Sequence, residues 1–160
     1  MAKNQWFWLL FFLACTFAAA AVGSWFTSKS VRTWYLQLRK PRFSPPNWIF
    51  APVWSALYAL MAVSAWFVWR NVGWSQGTTA LSLFYIQLFL NMLWSVVFFG
   101  WRRPGIAVIE IACLLAAIAA TMAAFAPIST LAFWLMVPYL AWVSFATLLN
   151  YRIWQLNPRA

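Results

Sequence analysis

The sequence predicts an all-α integral membrane protein, a bundle of five transmembrane helices with the N-terminus outside and the C-terminus cytoplasmic. Three observations carry that expectation. Two thirds of the 160 residues are apolar, only 8 % are charged, and a single acid, Glu110, stands against eleven Lys and Arg. A soluble domain covers itself with roughly a quarter charged residues of both signs, so lipid must be the solvent for most of this chain. The charges are also spaced: none lies between Lys3 and Lys29, between Arg42 and Arg70, or between Arg70 and Arg102.

Each uncharged interval suits one crossing of about 20 residues, except that from Glu110 to Arg152, which is twice as long. The turn-forming string Ala126-Pro127-Ile128-Ser129-Thr130 divides it. Five helices are expected, at about 5–26, 47–70, 78–101, 104–126 and 130–153, forming one domain over residues 1–160. Helices are preferred to a barrel because the apolar runs are continuous and do not alternate.

Span one begins after Lys3 and ends near Trp25-Phe26. Its start imitates a secretory signal, with Ala18–Ala21 as the cleavage site. Cleavage would leave the cations of the next loop outside, so the span is expected to stay. Loop one, residues 27–46, is the only long connection. Within it Trp34, Tyr35, Leu36 and Leu38 suit a short interfacial helix ended by Pro41. Phe43 and Pro45-Pro46 then lead stiffly into span two, with Asn47 as its expected N-cap.

The remaining loops are short, so successive helices should be antiparallel neighbours. Loop two carries Gly73, Ser75, Gln76 and Gly77, and loop three is Arg102-Arg103-Pro104, with Pro104 suited to a first helical turn. Span four carries Ala112, Ala116, Ala120 and Ala124 at four-residue spacing, which permits close helix packing within the bundle or between protomers. In span five Pro138 removes one backbone hydrogen bond and should distort the helix.

The cations set the orientation. Loop one, loop three and the C-terminus hold nine of them and the opposite face only Lys3 and Arg70, which places the nine in the cytoplasm. The net charge of +10 forms a girdle for anionic headgroups. The cations build no basic domain, so nucleic acid is not an expected partner.

Chemistry-bearing residues are few. Histidine is absent and one carboxylate makes no acid–base pair, so hydrolytic and metal chemistry are not expected and no metal site is assigned. Cys15 and Cys113 sit in different spans with no ligand spacing. Glu110 lies about two turns into span four, near a helix N-terminus where negative charge is favoured. That structural role competes with a functional one as an intramembrane acid.

Span three is the most polar inside the lipid. Gln87, Asn91 and Ser95 form one stripe beside Trp94 and Phe98. Such a stripe serves interhelical bonding and ligand recognition equally well. Span two offers Trp54, Tyr58 and Met61 on one face, and span five offers Tyr139, Trp142, Ala146 and Leu149. Aromatic walls, a few amides and one small residue suit a flat, apolar, polycyclic ligand. The same side chains also suit a packed core.

Three strings carry a family resemblance. The first runs Trp34-Tyr35-x-x-Leu38-x-Lys40-Pro41-x-Phe43-x-Pro45-Pro46-x-Trp48-x-Phe50-x-Pro52-Val53-Trp54-x-x-Leu57-Tyr58. The others are residues 87–100, QLFLNMLWSVVFFG, and 137–150, VPYLAWVSFATLLN. Together they resemble the TspO/translocator protein family, the tryptophan-rich sensory proteins related to the peripheral benzodiazepine receptor. The resemblance implies a five-helix bundle, a homodimer, and a pocket open toward the loop-one side and capped by that loop. It implies protoporphyrin, haem, sterol or benzodiazepine-type ligands, with no obligatory cofactor. By motif position Trp34, Tyr35, Trp54, Asn91, Trp94, Trp142 and Ala146 would line or close the pocket, joined by Tyr58 and Gln87 from the stripes above.

No confident catalytic residue is assigned. Trp54 and Trp142 match tryptophans implicated in light- and oxygen-dependent porphyrin breakdown by bacterial relatives. Glu110 falls where the family usually has an aspartate. A sterol motif would need residues between Tyr151 and the next cation, but Arg152 follows directly, so a tetrapyrrole is favoured over cholesterol. Its propionates would meet Arg39, Lys40 or Arg42. The expected function is therefore tetrapyrrole binding in sensing, transport or homeostasis. Photo-oxidative degradation and a proton-coupled transporter using Glu110 are the alternatives. The absence of transit-peptide features points to a bacterial inner membrane.

Overall fold

A computed structural model describes residues 4–158; Lys3 and Arg159, used above to set the orientation, lie outside them. The architecture is all-helical. Helix α1 (Gln5–Val31) is followed by the short α2 (Trp34–Gln37), then α3 (Phe50–Ser95), α4 (Pro104–Phe125) and α5 (Thr130–Leu156). Four stretches among the described residues are long and apolar enough to cross a membrane. One of them, Asn47–Gly100, has 54 residues, more than twice what one crossing needs.

That stretch is two limbs. The chain reverses at Gly73, whose backbone (φ 66, ψ −171) departs from the helix. Tyr58 on the first limb (50–72) then hydrogen-bonds Asn91 on the second (74–95), and Gln87 meets Met61. These pairings make the limbs antiparallel. The five crossings are thus α1, the two limbs of α3, α4 and α5. Loop two shrinks to a single left-handed residue, a conformation glycine adopts without a Cβ penalty.

Boundaries differ from the expectation in three places. Helix α1 continues to Val31, past the expected end of span one, because Ser30 is buried and its hydroxyl donates to the Phe99 carbonyl at 2.6 Å. Asn47 does not cap span two: it opens a 3₁₀ turn, Asn47–Ile49, and makes no capping bond. The last turn of span three widens into a π-helical turn, Val96–Gly100. Helix α5 runs on through Pro138, and its N-cap is Ser129, which accepts from the Ala132 amide at 3.2 Å.

The crossings close into a ring. Trp66 Nε1 of the first α3 limb donates to the Gln5 carbonyl of α1, and Ser64 donates to the Ala132 carbonyl of α5. Asn150 of α5 donates to the Pro104 carbonyl of α4, and Phe84 of the second limb stacks on Phe125 of α4. Phe12 of α1 packs edge-on against the same Phe84. The order is therefore α1, first limb, α5, α4, second limb, and back to α1.

Seven of the fourteen tryptophans sit at the two ends of this ring with exposed rings. Trp25, Trp48, Trp101 and Trp154 mark the loop-one end, and Trp6, Trp74 and Trp134 the other. Indoles at that depth form the belts that anchor a bundle between two headgroup layers. The alanine stripe of α4 also faces outward at Ala112, Ala116 and Ala120, so it does not pack inside the bundle. Cys113, on the same helix, is free and exposed, and Cys15 is free.

Candidate ligand cavity

A cavity of about 570 Å³ lies at the loop-one end of the ring, within the size range of small-molecule pockets. The first α3 limb contributes Trp54 and Tyr58, the second Asn91 and Trp94, the π turn Phe98 and Phe99, and α5 Trp142 and Ala146. Tyr35 of α2 closes the top. Seven of the nine residues singled out above therefore share one wall system. The others do not reach it. Trp34 packs edge-on against Phe98, ring centroids 5.8 Å apart, so it supports the wall from behind. Gln87 is fully buried deeper in the core, with its amide nitrogen 3.9 Å from Met61 Sδ and its Oε1 without a partner.

Four polar side chains of the lining pair with one another, Tyr58 with Asn91 and Trp94 with Asn150. Asn91 accepts from the Tyr58 hydroxyl and donates from Nδ2 to Tyr139 Oη at 3.0 Å. One amide thus ties both α3 limbs to α5 beneath the cavity. Trp94 Nε1 donates to Asn150 Oδ1 at 3.0 Å, while Asn150 Nδ2 donates onward to Pro104 at 2.9 Å. In hydrocarbon each such interhelical bond is worth about 0.6–2 kcal/mol. Trp142 Nε1 is buried in the wall without a partner.

The rings stand at angles that leave a slot. Trp54 is tilted 33° against Tyr58 at 5.7 Å and lies edge-on to Tyr139. Trp94 stacks on Phe98 at 5.2 Å, and Phe50 meets Trp142 edge-on at 5.9 Å. These rings come from three crossings, the two limbs of α3 and α5, so the packing of the backbone as well as local sequence holds the slot open. Ala146, where a larger side chain would protrude, keeps its width.

Loop one is a fitted lid. Tyr35 and Leu38 are buried on Phe98, Phe99, Leu149 and Ile153. Asn157, just past α5, accepts from the Arg39 amide at 3.0 Å and donates to the Arg39 carbonyl at 2.9 Å. Phe43 rests edge-on against Phe145. Lys40 Nζ sits 4.0 Å above the Tyr35 ring. Burial lowers the Lys40 ammonium pKa from its ordinary value, and burial raises the Tyr35 hydroxyl, partly offset by Ser44.

Loop one thus packs down over the loop-one end of the cavity. Glu110, whose place near a helix N-terminus suited a structural role, is buried, and neither carboxyl oxygen has a hydrogen-bond partner. Sequence reasoning also missed the contribution of α1, which supplies Phe17, Ala20, Gly23, Ser24 and Thr27 to the lining. Its only signal was a run of small residues in a helix apolar on every face.

Comparison with known proteins fits this architecture. A sequence profile of the TspO/MBR family matches residues 11–155. The tryptophan-rich protein TspO of Archaeoglobus fulgidus is 40 % identical over 140 residues, covering 88 % of this chain and 90 % of its own. The human translocator protein is 40 % identical over 138 residues, covering 85 % and 82 %. The tryptophan-rich sensory protein of Cereibacter sphaeroides is 39 % identical over 153 residues, covering 96 % and 93 %. With apolar helices long enough to cross a bilayer and matches of this extent, the chain is an integral membrane protein that belongs to the TspO/MBR family.

Proposed function

We propose that this protein binds a flat, largely apolar ring system of the tetrapyrrole class, protoporphyrin or haem, in the cavity beneath loop one, and acts in its sensing, transport or homeostasis. The observation that carries the reading is the slot itself. Its volume of about 570 Å³ is bounded by indole and phenyl rings from several crossings, and one small residue, Ala146, keeps it open. Planar aromatic faces at those angles favour a planar guest through stacking and burial. The unpartnered Trp142 N–H offers a donor to a ring substituent. The lining has hydroxyls, amides and indoles but no carboxylate, which favours binding over acid–base chemistry. Relatives named translocator protein and tryptophan-rich sensory protein support a carrying or signalling role.

The test is quenching of intrinsic fluorescence by protoporphyrin IX, in the dark, with the protein in nanodiscs. Saturable quenching is expected, with affinity weakened about tenfold in Trp54→Phe/Trp142→Phe, because each lost indole contact is worth about 0.5–1.5 kcal/mol. Quenching that never saturates would remove the reading. A homodimer joined through the outward alanine face of α4 is part of the proposal, and Cys113 on that helix is the natural cross-linking probe.

A further inference from the structure

The lid raises a question of access. Loop one is clamped to α5 by Asn157 and buries Tyr35 and Leu38 over the cavity. Yet several lining residues are themselves exposed: Phe17, Ala21, Ser24 and Ser28 on α1, Ala51 and Ser55 on the first α3 limb, and Asn47 on the turn that leads into that limb. A residue that lines a cavity and also faces outward marks an opening. All but Asn47 belong to two neighbouring crossings, and Asn47 stands at the entry to one of them, so they mark a gap between the two.

The packing of α1 explains the gap. In its lower half α1 rests on the first limb, through Phe17 on Tyr58 and the Gln5–Trp66 bond. In its upper half it leans the other way. A Cβ on Gly23 would come within 3.1 Å of Ser95 Oγ, the Phe26 ring lies against Gly100, and Ser30 bonds the Phe99 carbonyl. The upper part of α1 is thus fixed to the second limb and the π turn. Across the cavity from it the first limb presents Phe50, Ala51, Trp54 and Ser55.

We infer that hydrophobic ligand reaches the cavity sideways from the bilayer, through a portal between α1 and the first α3 limb. The proposal rests on the binding reading above. Phe17 and Ser28 are eleven positions apart, about 16 Å along the helix, or roughly half the hydrocarbon thickness. The portal therefore opens into one leaflet, the one next to loop one. Its polar rim groups do not obstruct an apolar guest: Ser55 donates to the Ala51 carbonyl at 2.9 Å and Ser28 to Trp25 at 3.1 Å. These two make their hydrogen bonds inside their own helices, which leaves Ser24 as the one rim serine free to meet a polar edge of what passes.

The experiment staples the portal reversibly. Ala21→Cys/Ser55→Cys, in a background carrying Cys15→Ala and Cys113→Ala, is loaded with protoporphyrin IX in nanodiscs. It is then bridged with a bis-methanethiosulfonate linker. The expected result is that porphyrin transfer to acceptor vesicles slows about tenfold or more, a barrier increase of roughly 1.4 kcal/mol, and recovers on reduction. Bridging before loading should slow uptake equally. Asn157→Ala, which unclamps the lid, should leave release unchanged. Release that ignores the staple, or that quickens in Asn157→Ala, would overturn the portal in favour of an axial route. Failure of the reduced protein to bind porphyrin at equilibrium would instead strike at the binding reading, and the portal would fall with it.

Discussion

At the scale of single residues, Asn91 is the most consequential polar side chain in the bundle. It joins Tyr58 and Tyr139 from two other crossings and forms part of the cavity wall. Asn91→Leu removes both bonds and strands two buried hydroxyls, which should cost about 1–3 kcal/mol, read as a lowered midpoint of denaturation in detergent. An unchanged midpoint would mean that the tyrosines find other partners. Two glycines make contrasting predictions. Gly73→Ala meets nothing within 4 Å, so its cost of about 1–3 kcal/mol is backbone strain alone. Gly100→Ala would place a Cβ 2.8 Å from the Phe26 ring and should be relieved by Phe26→Ala in a double-mutant cycle. The Gly73 pair has no such partner.

At the scale of elements, the crossings were legible because charges cannot stay in hydrocarbon cheaply, and their intervals therefore mark the spans. Helix ends were less legible. Ser30 and the π turn are set by packing between α1 and Val96–Gly100, contacts that join residues some seventy positions apart in the chain. The short helix of loop one was visible in Trp34, Tyr35, Leu36 and Leu38, but its clamp was not. Asn157 carries no local signal, and its partner Arg39 uses only backbone atoms. Asn157→Ala should therefore raise amide hydrogen exchange across 34–44 while leaving the helices protected. Uniform exchange behaviour would show that burial of Tyr35 and Leu38 holds the loop unaided. The α4 alanines were read as a close-packing stripe, and their outward direction gives the dimer proposal its site. Oxidative cross-linking through Cys113 is expected in the membrane, and its absence in nanodiscs reconstituted with two chains would count against that face.

At the scale of the whole molecule, tryptophan content is a poor guide to the pocket by itself. Of fourteen indoles, three line the cavity, while seven belong to the end belts. What located the cavity indoles was their place beside Asn91, Tyr58 and Ala146 on separate stripes. The wall from α1 escaped because a helix apolar on nearly every face has no periodicity to read. The cation bias predicts an orientation: a reporter fused after residue 160 should be active on the cytoplasmic side, and export of that reporter would reverse the bundle. The central claim is that the guest sits inside the ring, between aromatic walls, under the lid. The direct measurement compares protoporphyrin affinity in Ala146→Phe, which fills the slot, with Leu148→Phe, which adds the same ring on the half-exposed outer face of α5. Affinity should fall at least about tenfold in the first and stay at the wild-type value in the second, with both variants equally helical. Equal affinity in the two would place the guest on the outside of the bundle and contradict the account.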